Sequence, residues 1–283
     1  MTKLIMPPAR DFGWQLKPLE SSHFAIHERE NGQFCVVLNH ALLRGVTAEM
    51  LHWWFMNFTQ LKVKLEDVPG YKGQVVPAYL LWHPSDHLDA TLSGNLGPGG
   101  TPQPGAKISI KEAMQYSKYG WKYPVNNTLL VFYCGTDGWA MGKQLPLLGP
   151  MMMLRIHFKD VFENNTCVGV HYHYEIIIGV TSTNPVGRLI NNRVKAHFSP
   201  EFFEAWQTHN VIEVGTFENF LPALFAQRQD GNLLHYRTEL NTAPSPAGQE
   251  GHDRGLFEER VAGYKHSNNA HEHQGFAQPS ILV

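Results

Sequence analysis

Apolar positions alternate with polar ones through the middle of this chain and recur at helical spacing on either side of it. FCVVLNHALL from Phe34 predicts a strand, and Thr47 then caps an amphipathic helix, AEMLHWWFMNF. A series of strand-like runs follows: KISIKEAMQY, TLLVFYCG, GWAMGKQ, MMMLRIHFKDVF and CVGVHYHYEIIIGV, with Asp137–Gly138 as a hairpin signal between two of them. From Ser199 to Pro222 the period changes. Ser199 is a good N-cap and Pro200 falls at the first helical position, where its missing N–H costs nothing. Phe202, Phe203, Trp206, Val214 and Phe217 then recur roughly once per turn, and Pro222 is expected to stop the helix. This order predicts an α+β fold of helix-grip shape, a curved antiparallel sheet wrapped around a long C-terminal helix with a ligand cavity between them.

Punctuation divides the rest. Residues 1–32 are Pro-rich and aperiodic, which predicts an arm that packs on the body or on a second subunit. Residues 33–230 form the main domain, and 231–283 read as a polar tail. A strand entering Trp82–His83 should stop at Pro84, leaving Asp86 and His87 on a turn or short helix. SGNLGPGGTPQPG at 93–105 reads as a flexible loop beside a pocket.

Composition narrows the function. Hydrophobic residues make up 43% and charged residues 17%, so the chain can bury a large core. A net charge of -2 without any Lys/Arg run argues against nucleic acid. No apolar stretch is long enough for a membrane span, and the N-terminus lacks a signal-peptide core. Three unpaired-looking cysteines, Cys35, Cys134 and Cys167, suit a reducing compartment, so a cytoplasmic location is expected.

Candidate chemistry comes from histidines and carboxylates. His209 and Glu213 are four residues apart, on one face of the predicted helix. His83, Asp86 and His87 form an HxxDH turn. Glu112 shares a strand face with Ile108 and Ile110, so a carboxylate on an inner face must be paired or metal-bound. His157 sits beside Leu154, Ile156 and Phe158, while HYHYE alternates His171, His173 and Glu175 against Tyr172 and Tyr174. Two imidazoles and two carboxylates, His87, Glu112, His209 and Glu213, suit Zn²⁺ or a similar divalent ion.

WWF on the first helix, YxLWHPxDH, the glutamate of GAKISIKE, and HNxxEVGxxxxFLP together resemble the 2,4-diacetylphloroglucinol hydrolase family, which includes phloretin hydrolases. The resemblance runs from about Trp53 to Leu224. It implies a Bet v 1-like fold with a zinc site, a homodimer, and cleavage of the carbon–carbon bond between a polyhydroxylated ring and its acyl group. Carried over by motif, the zinc ligands are His87, Glu112, His209 and Glu213. Tyr79 contacts a substrate hydroxyl, with His83 and Asp86 on the substrate side. His157 and Tyr172 form the proton-transfer and orienting pair, and Glu112 or Glu213 doubles as a base. The partner so implied is a small aromatic ketone. The competing expectation is a protein of the same fold that binds an aromatic or polyketide ligand without turnover, or a non-hydrolytic cyclase or isomerase.

Overall fold

The computed structural model describes residues 5–145 and 149–240; of the polar tail expected at 231–283, residues 241–283 lie outside them. In chain order the elements are β1 (Ser22–Glu28), β2 (Phe34–His40), β3 (Leu43–Arg44), α1 (Ala48–Asn57), β4 (Lys62–Leu65), β5 (Gln74–Pro77) and α2 (Tyr79–Trp82). Then come β6 (His87–Leu96), β7 (Pro102–Ala113), α3 (Tyr116–Tyr119), β8 (Pro124–Gly135), β9 (Gly138–Leu145), β10 (Gly149–Glu163) and β11 (Thr166–Ile178). The described chain ends with α4 (Pro185–Lys195), α5 (Pro200–Gly215), α6 (Phe217–Ala226) and β12 (Leu233–Tyr236).

Nine strands make one antiparallel sheet in the order β1-β2-β11-β10-β9-β8-β7-β6, with β3 also pairing β11. From β6 to β11 each strand pairs with its neighbour in sequence, so meander hairpins build this part of the sheet. A smaller sheet, β12-β4-β5, lies apart from it, with β12 parallel to β4. The strand in residues 22–28, within the stretch expected to be an arm, pairs with β2 along its whole length.

One face of the large sheet carries Ile108, Val131, Trp139, Leu154, Ile156, Phe158, Val170 and Tyr172 into the main core. Leu51, Trp54 and Phe55 of α1 meet them, with Val214 of α5 and Phe217, Phe220 and Leu224 of α6. Thr47 caps α1 by accepting from the Met50 amide at 3.2 Å, and Ser199 caps α5 by accepting from Phe202 at 3.0 Å.

The helix-grip expectation is corrected here. The fold is α+β, but the sheet does not wrap around one long C-terminal helix. α1 lies against β8, β9 and β10, α5 against β2, and α6 against β3, so three helices share the apolar face. The C-terminal helical segment is itself divided at Thr216, whose hydroxyl lies 2.7 Å from the carbonyl oxygens of both Glu213 and Trp82. A hydroxyl turned back onto its own preceding turn bends a helix. Pro222 does not end the helix either; it sits inside α6, which continues to Ala226.

Two local expectations also change. Trp82 ends a helical turn rather than a strand, and His87 begins β6. The Gly-rich stretch 93–105 is the tip of the β6–β7 hairpin, where Gly99 and Gly100 supply the left-handed backbone the turn requires. Among the described residues no helix is long and apolar enough to cross a membrane.

Candidate metal centre

Three elements meet over the end of the β6–β7 hairpin. His87 is the first residue of β6 and pairs with Glu112 on β7. His209 and Glu213 come one turn apart from α5. All four are buried, at 0%, 7%, 2% and 9% exposure. The alternation that places Ile108 in the core carries Glu112 to the same side.

Nε2 of His87 lies 3.8 Å from Glu112 Oε1 and 3.5 Å from Glu213 Oε1. Nε2 of His209 lies 3.5 Å from Glu112 Oε2 and 3.9 Å from Glu213 Oε2. A tetrahedral ion with bonds of about 2.0–2.2 Å has ligand–ligand edges of roughly 3.3–3.6 Å. His87, Glu112 and His209 already lie close enough to share one ion, and Glu213 would join them by a side-chain adjustment.

The outer nitrogens decide which ring atoms face inward. His87 Nδ1 is 2.9 Å from the Tyr79 carbonyl oxygen, and His209 Nδ1 is 3.0 Å from Asp86 Oδ2. Each partner can only accept, so both Nδ1 atoms carry hydrogen and both Nε2 atoms face the centre. Such outward bonds are what orient metal-binding imidazoles. His87 Nε2 has no hydrogen-bond partner among the described residues, an orphan that an ion would satisfy.

A second grouping, His83, Asp86 and His209, is also close enough to hold an ion, but its hydrogen bonds leave no room for one. Asp86 Oδ1 accepts from Ser85 Oγ at 3.0 Å and the Tyr116 amide at 3.1 Å. Its Oδ2 accepts from the Gln115 amide at 2.7 Å and from His209. All four lone-pair positions are used. His83 Nδ1 accepts from the Asp86 amide at 3.1 Å, so its hydrogen sits on Nε2, 3.4 Å from Asp86. His83 and Asp86 thus stand behind the centre and support it.

Electrostatics follows from this arrangement. Burial would raise Asp86, but the His209 bond and the His83 and His209 charges hold its carboxyl well below the usual range. Burial pushes His87 down to about 4 and Glu213 up to about 7. For His209 burial acts downward, yet the Asp86 bond and the Glu112 and Glu213 charges raise it to about 9. With the His209 proton displaced, two carboxylates and two Nε2 lone pairs would balance the charge of a divalent cation in this largely buried site.

A pH prediction for the metal-free protein comes from the same groups. The folded His209 value of about 9 exceeds the unfolded value near 6.5, so its stabilisation is complete below pH ~6.5 and lost as pH rises to ~9. The raised Glu213 destabilises between pH ~4.5 and ~7 and adds nothing beyond. From pH 7 to 9 the chelated protein should lose on the order of 3 kcal/mol, and the metal-loaded protein should not. Denaturant melts with and without chelator across that range check this; parallel curves would refute it.

Tyrosines from α2 and β11 flank the centre. The Tyr79 hydroxyl donates to Glu112, and its ring stacks on His87 with centroids 4.0 Å apart. Burial, together with the Glu213 charge, raises the Tyr172 and Tyr174 hydroxyls well above their ordinary value. The expected pairing of His157 with Tyr172 does not form. In the β10–β11 hairpin Phe158 stands opposite Tyr172 and His157 opposite His173. Phe158 and Tyr172 are core residues, so His157 leaves by the other face of the sheet.

Arg10 was not anticipated. Its amide donates to Pro84 O at 2.9 Å, Nε to Leu80 O at 3.0 Å and Nη2 to His83 O at 2.8 Å. A residue from the N-terminal segment thereby clamps the turn that presents Asp86 and His87. Nothing local in the sequence marks it. Tyr174, by contrast, was legible as the other member of the tyrosine face of HYHYE.

No protein-family model matches the chain, and no curated protein matches it. Among solved structures, a protein of unknown function, SA2116 from Staphylococcus aureus, superposes with a TM-score of 0.31 at 8% identity, covering 65% of this chain and 96% of that one. A likeness of that size carries no argument.

Proposed function

We propose that this protein is a zinc-dependent hydrolase that cleaves the carbon–carbon bond between a polyhydroxylated aromatic ring and its acyl group. The observation that carries the reading is the convergence of His87 and His209 Nε2 with the Glu112 and Glu213 carboxylates, beside three inward tyrosines. The motif resemblance described above supplies the substrate class. Two nitrogen and two oxygen donors suit Zn²⁺ over the harder Mg²⁺ or Ca²⁺, which take oxygen. When bound, such an ion supplies Lewis-acid activation of the ketone carbonyl and of water.

The reaction is Ar–C(=O)R + H₂O → Ar–H + RCO₂H. An aryl carbanion is too poor a leaving group for direct acyl transfer, so the ring first takes its keto form, with a proton on the carbon that bears the acyl group. Attack of water on the side-chain carbonyl then expels a stabilised enolate. Glu213, a carboxylate at the edge of the grouping, is the group that would take the proton from water. Tyr79, fixed by its bond to Glu112, and Tyr172 present hydroxyls to the phenolic oxygens of the ring.

The test is elemental analysis of tag-free protein together with an absorbance assay on phloretin and 2,4-diacetylphloroglucinol. About one zinc per chain is expected, with turnover abolished by chelator and restored by zinc. Zinc without turnover on any acyl-polyphenol would overturn the hydrolase reading, and no metal after reconstitution would overturn the centre itself.

A further inference from the structure

His40 ends β2 and continues the inward row of Phe34, Val36 and Leu38. It is 4% exposed, and its Nε2 is buried without a hydrogen-bond partner among the described residues. Its ring meets Tyr172 edge-on, with centroids 5.3 Å apart and planes at 88°. Tyr172 in turn meets Phe217, ring centroids 6.5 Å apart, just beyond the helix that carries His209 and Glu213.

A buried imidazole nitrogen with no partner is costly, and native structures rarely leave one so. Lys17 is a cation whose charge acts on it, but that ammonium is bound to Glu218 and to the Leu42 carbonyl, at 2.8 and 3.0 Å. No described residue therefore supplies the pairing group. On the inner face beside a tyrosine, the group that fits is a hydroxyl of an aromatic ligand.

We propose that His40 binds a ring hydroxyl of the substrate and carries the proton that converts the phenol to its keto form. This rests on the hydrolase reading above and names the residue for its first step. His40 Nε2 takes the hydroxyl proton as the O–H electron pair becomes the new C=O bond. The ring π pair takes that proton at the adjacent carbon bearing the acyl group. The imidazole ends neutral, as it began, and no further reactant is consumed. Burial and the Lys17 charge keep the free imidazole neutral, so a proton that reaches Nε2 does not rest there and passes on to the ring carbon.

Ring ketonisation can be read without carbon–carbon cleavage. Phloroglucinol has the hydroxyls and no acyl group, and NMR in D₂O follows hydrogen exchange at its ring carbons. Zinc-loaded wild type should accelerate exchange above background, and His40→Gln should remove about 100-fold of that acceleration. Zinc content and melting temperature should stay at wild-type values, and His157→Ala should exchange within about threefold of wild type. On phloretin, the His40→Gln loss should fall on kcat more than on KM. Accelerated exchange that depends on His40, in a protein that cleaves no acyl-polyphenol, would retain this role and reject the hydrolase reading. Cleavage or exchange at the wild-type rate in folded, zinc-loaded His40→Gln would overturn the His40 assignment. So would wild type that neither exchanges phloroglucinol above background nor shifts its His40 Nε2 resonance when phloroglucinol is added. The resonance needs no variant and covers a His40→Gln protein that fails to fold.

Discussion

His209→Ala should yield protein with no metal above background and turnover on acyl-polyphenols below detection. The substitution removes one of two nitrogen donors, and the loss does not end there. Asp86 keeps its bonds to Gln115, Tyr116 and Ser85 but loses its imidazole, leaving a carboxylate at 0% exposure with one acceptor position empty. Glu112 and Glu213 then face each other across a site deprived of its most basic group. Removing one partner from a buried charged pair costs about 3–5 kcal/mol, much of a domain's stability. A stability readout alone would therefore be ambiguous. Metal content of the folded fraction decides: His83→Ala, which lacks a lone pair aimed at the centre, should keep its zinc while His209→Ala does not. Full metal retention in His209→Ala would sink the ligand assignment.

The parts of this site that could be read from sequence are those set by local geometry. His209 and Glu213 share a face because a helix brings i and i+4 together, and Ser199 with Pro200 fixes where that helix begins. Glu112 turns inward because strand alternation ties it to Ile108. What sequence could not give is register and long-range capture. His157 and Tyr172 are fifteen residues apart on paired strands, which makes them neighbours in either register. The β10–β11 hairpin closes with a bulge between Val161 and Phe162, and a slip of one residue exchanges the faces of a strand. The imidazole that does sit beside Tyr172 comes from β2, more than a hundred residues earlier in the chain. The helix-grip expectation failed for a related reason. Periodicity from Phe202 to Phe217 runs smoothly through Thr216, and only the bonds that Thr216 makes to Trp82 and Glu213 reveal the break.

Asp86→Ala should separate a support from a ligand. Asp86 touches no position where an ion would sit between Nε2 atoms, yet it fixes His209 and pins the start of the Gln115–Tyr116 turn. Its removal leaves three N–H donors without their acceptor, each costing about 1–3 kcal/mol, so destabilisation on the order of 5 kcal/mol is expected. Zinc affinity should fall by roughly 10–100-fold and remain measurable, the effect typical of a lost outer partner. Asp86→Asn is no milder by design, since its amide nitrogen would confront either the His209 Nδ1–H or a backbone N–H, both donors. Competition with a chelator on folded protein measures the affinity. If the ion instead occupied the His83–Asp86–His209 grouping, Asp86→Ala would abolish binding as completely as His209→Ala, and His87→Ala would leave it intact. A weakened site in Asp86→Ala beside an empty one in His87→Ala places the ion between β6, β7 and α5, at the centre that both Nε2 atoms face.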